Sequence, residues 1–185
     1  MTTIDWTSQL SDQLTWHWDN QLRPRLEGLT DEEYFWEPVP GWSVRRRGTP
    51  SRAGINGGSG DFYIEFEFPE PTPTPVTSIA WRLGHIIVGV FGARLQNHFD
   101  GFEADYMTWP YAGTATEALA QLDQCYEQWV DGISKLDADA LAAPCGAAEG
   151  PWADAPMATL ILRIHHEAIH HGAEISLLRD LYQAR

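Results

Sequence analysis

Four of the chain's seven histidines fall within "RIHHEAIHHGAEISLLRDLY", Arg163 to Tyr182, with one glutamate between the pairs. Imidazole nitrogens and carboxylate oxygens are the donors that hold divalent transition-metal ions, and they also form ordinary ion pairs. Which of them can act together depends on where a helix points them. At 100° per residue, Leu160, Ile161, Ile164, Ala168, Ile175, Leu178 and Tyr182 form one apolar stripe. His171 lies about 20° from its centre and Glu167 about 60° from it. His170 is about 120° away and His166 about 160° away, on the polar side, and His165 flanks the stripe on the other side. Glu167 and His171 are therefore the inward pair, one turn apart. Burying them is costly unless something compensates, and either a divalent cation or a Glu–His ion pair does so.

A cation needs a further donor from another helix, and the candidates are His17, His85 and His98. His85 lies in "SIAWRLGHIIVGVFGARLQNHF", on the stripe Trp81, His85, Val88, Gly92, Leu95 and Phe99. Gly84 beside it leaves room for close approach. His98 falls near a helix end, where a histidine commonly complements the terminal carbonyls. His17 lies beside the apolar stripe of the first helix. The set that faces inward together is His85, Glu167 and His171. Such a set leaves coordination positions open, as catalytic sites do. Zinc is the first choice, and nickel or iron would also accept these donors. Glu174, one turn past His171, is placed either to accept an imidazole N–H from outside the donor set or to sit exposed on the helix.

The elements that must position these residues are four long amphipathic helices, at about Asp5–Leu29, Ser78–Phe99, Ala115–Leu136 and Met157–Tyr182. Pro24 is expected to kink or fray the last turns of the first. Thr77 or Ser78 can cap the second. The third starts at the capping box Thr114-x-x-Glu117 and carries the stripe Leu119, Leu122, Tyr126, Trp129, Ile133 and Leu136. This predicts an all-α four-helix bundle, one domain spanning residues 1–185. The stretch between the first two helices is long enough to cross over the bundle. In it, "RRRGTPSRAGINGGSG" reads as a mobile loop and "DFYIEFEF" as a strand or small β-hairpin arm.

Composition narrows the partners. The net charge is −14 and Lys135 is the single lysine. A nucleic-acid partner is excluded on charge, and an anionic membrane surface is disfavoured. No segment has the long uncharged run of a membrane span. The N-terminus lacks the basic and apolar regions of a secretory signal, and Cys125 and Cys145 suggest no disulfide framework, so a cytoplasmic location is expected. Cys125 reads as core packing and Cys145 as a loop residue. Nine tryptophans hint at a ligand cavity.

An inward histidine on the second helix followed by an HHG signature on the fourth resembles the DinB/YfiT-like metalloenzymes. "GLTDEEYFWEPVPGWSVR", "FEFPEPTPTPVTSIAWRLGHI" and "HEAIHHGAEISLLRDLY" look like their actinobacterial branch. The resemblance covers the whole chain. It implies a four-helix bundle, a divalent metal site and, as in some members, thiol-dependent transferase or isomerase chemistry. Many members use three histidines, the last two at i and i+4. Here the i position is Glu167, which resembles the His, Glu, His set of the mycothiol-dependent maleylpyruvate isomerases. Those isomerases carry a further C-terminal domain, which the sequence to Arg185 does not include. The resemblance therefore implies an S-transferase of the mycothiol type, working through a metal-bound thiolate on a small-molecule substrate. The alternatives are a non-enzymatic metal- or small-molecule-binding bundle and an interaction protein that forms a homodimer. Trp81 is expected to line the substrate pocket. Arg45, Arg46, Arg47 and Arg52 either bind substrate carboxylates or form a solvated loop.

Overall fold

The computed structural model describes residues 4–185. The chain is mostly helical, with one small antiparallel sheet. Asp5 caps α1 (Trp6–His17) by accepting from the Ser8 N–H at 3.1 Å. The helix continues as a π-helical turn (Trp18–Leu22) into α2 (Arg23–Arg25). Pro24 accounts for the widened turn, because it has no N–H to donate and its ring crowds the carbonyl one turn back. Gly28, at φ +69°, ends the run three residues after α2, so Leu29 lies outside it. Trp6 begins α1 but is exposed and takes no part in the core stripe.

Thr30 caps the short α3 (Asp31–Tyr34). The segment expected to be a mobile loop instead supplies two strands. β1 (Val44–Arg46) and β2 (Ile55–Gly57) flank β3 (Phe62–Phe66), in the order β1-β3-β2 and antiparallel throughout. Val44 and Gly57 both face Ile64. Glu65, in the central strand, is fully buried and takes its compensation from that same arginine-rich segment. Arg45 Nε lies 2.7 Å from Glu65 Oε2, and the Arg52 and Ser43 N–H groups donate to the carboxylate at 2.5 and 2.9 Å. Arg45 and Arg52 also pair with Glu37, and Arg47 donates to the carbonyls of Gly58 and Gly60. These arginines are committed to holding the crossover together. Arg46 alone of the group is left exposed with neither an ion pair nor a side-chain hydrogen bond among the described residues.

Ser78, rather than Thr77, caps α4 (Ile79–His85) by accepting from the Trp81 N–H at 3.2 Å. A π-helical segment (Ile86–Gly92) follows and runs into α5 (Ala93–His98). α6 (Ala115–Ser134) opens at its capping box, with Thr114 accepting from Glu117 N–H and Glu117 accepting from Gly113 N–H. The short α7 (Ala138–Ala142) and a 3₁₀ turn (Ala147–Trp152) lead into α8 (Met157–Gln183).

The four long helical segments share one apolar cluster. Leu14 and Leu22, Leu83 and Phe91, Leu122 and Trp129, and Ile161 and Ile175 are buried within it, one pair from each segment. Fully burying each such side chain contributes roughly 1.5–3 kcal/mol. The far end of α8 is anchored by a buried ion pair. Arg179 Nε and Nη2 meet Glu33 Oε1 and Oε2 at 2.7 and 3.1 Å. The same guanidinium donates to the carbonyls of Arg25 and Glu27 at the end of the first helical run. Those carbonyls lack helical partners, so the arginine satisfies them.

Candidate metal centre

α8 turns Ile161, Ile164, Ala168 and Ile175 into the core, and this orients the histidine-rich turns between them. His171 is 8% exposed, Glu167 is half-buried, and His166 and His170 lie on the exposed side. His165 is fully buried, where its Nδ1 meets Gln13 Oε1 at 3.3 Å and its ring meets Trp129 edge-on.

The π-helical segment after α4 and the body of α8 pack against each other, and this brings the rings of His85 and His171 together. Their centroids are 4.6 Å apart and their planes are 89° apart. His171 Nε2 lies 3.4 Å from Glu167 Oε2. Two donors each about 2.1 Å from a tetrahedral cation stand about 3.4 Å apart, so this nitrogen and oxygen fit a shared divalent ion. The other ring nitrogen, Nδ1, lies 2.6 Å from Glu174 Oε2. That contact makes Nδ1 the N–H donor and leaves the Nε2 lone pair facing Glu167. The described residues thus bring His171 beside His85, with Glu167 at its Nε2 and Glu174 at its Nδ1.

His85 is held on two sides. Its Nδ1 is 2.5 Å from Tyr106 Oη. Trp81 stacks on the ring at 5.3 Å and 16°, and Trp81 Nε1 donates to the Glu65 carbonyl at 2.6 Å. The sheet therefore braces the ring through Trp81. Gly89 faces the same group, and a Cβ there would collide with Tyr106 Oη. Burial, then the neighbouring His171, Arg82 and Arg94, pushes His85 down to about 3. The ring is neutral at pH 7 and has a lone pair to offer.

Among the described residues, the donors that meet the spacing of a metal site are a different group. One donor each from His170, His171 and Glu174 lies within 4.8 Å of the others. Arg82 stands against it. Its Nη1 is 3.1 Å from Glu174 Oε2 and 3.3 Å from His171 Nδ1, so a guanidinium cation already occupies that side. A second cation there would be repelled. Arg82, half-buried and also 5.3 Å from the Trp81 ring, reads as the counter-charge that fixes Glu174.

His98 and His17 lie elsewhere. His98 Nε2 is 2.9 Å from Glu149 Oε1, and His17 Nδ1 is 2.8 Å from Gln21 Oε1. Both cysteines are buried. Cys125 donates weakly to the Ile87 carbonyl, and burial pushes its thiol up to about 12. Cys145 Sγ is 3.1 Å from the Trp152 carbonyl. Sequence reasoning did not single out Tyr106, whose segment "EADYMTWPYAG" has no periodicity to reveal its direction. Nor did it single out Arg82, which stands in an otherwise apolar stretch of the second helix.

Among the described residues, no helix is long and apolar enough to cross a membrane. No curated protein and no solved structure matches the chain. A family model does match, over residues 13–175, which reaches into all four long helical segments and includes His85, Glu167, His171 and Glu174. On that match, the chain belongs to the DinB superfamily.

Proposed function

We propose that this protein is a divalent-metal-dependent enzyme, built as one four-helix-bundle domain, that transfers a low-molecular-weight thiol of the mycothiol type to an electrophilic small molecule. The observation that carries this reading is the approach of the His85 and His171 rings to 4.6 Å between centres, with Glu167 Oε2 3.4 Å from His171 Nε2. Family membership supports it. His85 Nε2, His171 Nε2 and a Glu167 carboxylate oxygen would hold the ion, with zinc the first expectation. A divalent cation held there supplies a Lewis acid that lowers the pKa of a coordinating thiol, which is otherwise mostly protonated at neutral pH with a pKa of about 8.5.

The chain's own residues do the rest. Glu167 supplies the negative charge that offsets part of the ion's own. Glu174 and Arg82 hold the His171 tautomer. Tyr106 and Trp81 hold the His85 ring against rotation. Trp81 also presents an aromatic wall beside the donors. In the transfer, the thiol sulfur forms a bond to the electrophilic carbon. The leaving group departs with the bonding pair and takes up the thiol's proton.

Metal analysis of the purified protein, followed by incubation with mycothiol and a generic electrophile such as a haloalkyl ketone, tests this reading. Near-stoichiometric zinc, nickel or iron and metal-dependent loss of thiol are expected. Equal turnover by the chelator-stripped protein would exclude the mechanism. A metal-loaded protein inert with every common low-molecular-weight thiol would favour a binding protein.

A further inference from the structure

The ridge of α8 that carries Glu167 and His171 continues beyond them. Thr159, Arg163, Glu167 and His171 follow at four-residue spacing, so they stack along one side of the helix. One turn before Glu167, Arg163 lines a cavity of about 390 Å³ together with Arg94, Glu149, Trp152 and Leu160. That volume lies within the roughly 300–1,000 Å³ of small-molecule sites. Arg94 reaches in from the second helical segment, and its Nη1 donates at 2.6 Å to the carbonyl of Gly89, one turn past His85. The two segments that supply the candidate metal donors therefore also supply the cavity's two cations.

The charge of this cavity is unlike that of the chain. The sequence has 26 acidic and 12 basic residues, yet here two arginines meet one carboxylate. Arg163 makes no ion pair among the described residues, and its guanidinium rests 5.6 Å from the Trp152 ring centre. Arg94 pairs with Glu149 at 3.3 Å, but its buried Nε has no partner. Glu149 is shared with His98 at 2.9 Å, so it neutralises at most one of the arginines. A desolvated donor without a partner is costly until an acceptor arrives. The rest of the lining is largely apolar, with Leu160 and Trp152 offered to a hydrocarbon body.

We propose that this cavity binds a small organic monocarboxylate with an apolar or aromatic body. The carboxylate is held by Arg163 and Arg94, and the body packs on Trp152 and Leu160. A monoanion matches the single unit of unbalanced positive charge, whereas Glu149 repels a phosphate dianion. That the ligand is the electrophile of the transfer reaction rests on the function proposed above. Its binding to the cavity does not.

Calorimetric titration of the metal-free, full-length protein with 2-naphthoate, 2-naphthamide and inorganic phosphate tests the proposal. 2-Naphthoate should bind about tenfold tighter than its neutral amide, the scale of a charged hydrogen-bonded contact. Arg163→Gln should erase that advantage while leaving amide binding unchanged, and Arg163→Lys should restore part of it. Trp152→Ala should weaken both ligands. Arg163 and Trp152 are exposed, so these variants should keep the parental melting temperature. Equal affinity for acid and amide, a preference for phosphate, indifference to Arg163→Gln, or no binding at millimolar ligand would each overturn the site. Selective carboxylate binding by a protein that never retains metal would leave the cavity standing and remove the transferase reading.

Discussion

His85 and His171 meet edge to face, 4.6 Å between ring centres, although 86 positions separate them in the chain. An apolar core does not ordinarily bring two imidazoles together, because each nitrogen needs a partner. Here one nitrogen of each ring is committed outward, to Tyr106 and to Glu174. The remaining nitrogens are the ones left for a shared ion.

This division of the rings separates His171 from its neighbour. Replacing His171 or His85 by Ala should remove bound metal, while His170→Ala should retain it, because His170 lies on the exposed side beside the Arg82–Glu174 pair. Metal content after dialysis against a weak chelator is the measurement. Loss from His170→Ala with retention by His171→Ala would move the ion to the Glu174 side of the ring.

Tyr106 is placed to hold His85 in the tautomer that a metal needs. For Nε2 to bind metal, Nδ1 must carry the proton and donate it to Tyr106 Oη, 2.5 Å away. Tyr106→Phe removes that acceptor while keeping the ring. Outer partners of metal-bound histidines typically contribute about 10–100-fold to affinity, and a loss on that scale is expected. Competition with a chromophoric chelator reads it. An affinity within about threefold of the parent would show that Trp81 stacking alone orients the ring.

The helix pattern carried much of this site, because position on an amphipathic wheel reports burial directly. His171 and the His85 stripe follow from spacing alone, as does the cap at Thr114, whereas spacing left the second helix's cap open between Thr77 and Ser78. Other features had no local signal. The π-helical segment Ile86–Gly92 keeps the apolar spacing of an ordinary helix, and only its glycines mark it. β1 and β2 lie in a polar, glycine-rich segment without alternation, and they form because Glu65 in β3 is buried and needs Arg45 and the Arg52 N–H. Tyr106 and Arg82 act through tertiary contacts that no pattern of residue types encodes.

His165 makes the protein sensitive to acid. Burial pushes it down to about 4, against an ordinary value of about 6.5 for the unfolded chain. The folded state thus binds fewer protons between those values. Stability is complete above about pH 6.5, falls as the pH drops towards 4, and then levels off for this group. The loss is about 3 kcal/mol at most, at 1.36 kcal/mol per unit. His165→Asn keeps a donor towards Gln13 but cannot titrate. Urea unfolding of metal-free protein at a series of pH values should give a shallower acid limb for the variant. Parallel limbs would show that His165 is not the group responsible.

Gly89 links the winding of the second helical segment to the metal centre. A Cβ there would collide with Tyr106 Oη and come within 3.0 Å of Tyr106 Cζ and 3.2 Å of His85 Nδ1. Elsewhere in a helix, Gly→Ala stabilises by about 1 kcal/mol, because alanine loses less backbone freedom. Here overpacking, at about 1–3 kcal/mol, should win and give net destabilisation. The displaced tyrosine should also release the His85 ring and weaken metal retention. Tyr106→Phe removes the colliding oxygen, so the Gly89→Ala/Tyr106→Phe double variant should be more stable than the sum of the single changes predicts. A thermal-denaturation cycle over the four proteins measures that coupling. Strict additivity would mean that Gly89 and Tyr106 do not share this contact, and that the π-helical segment requires glycine for its backbone alone.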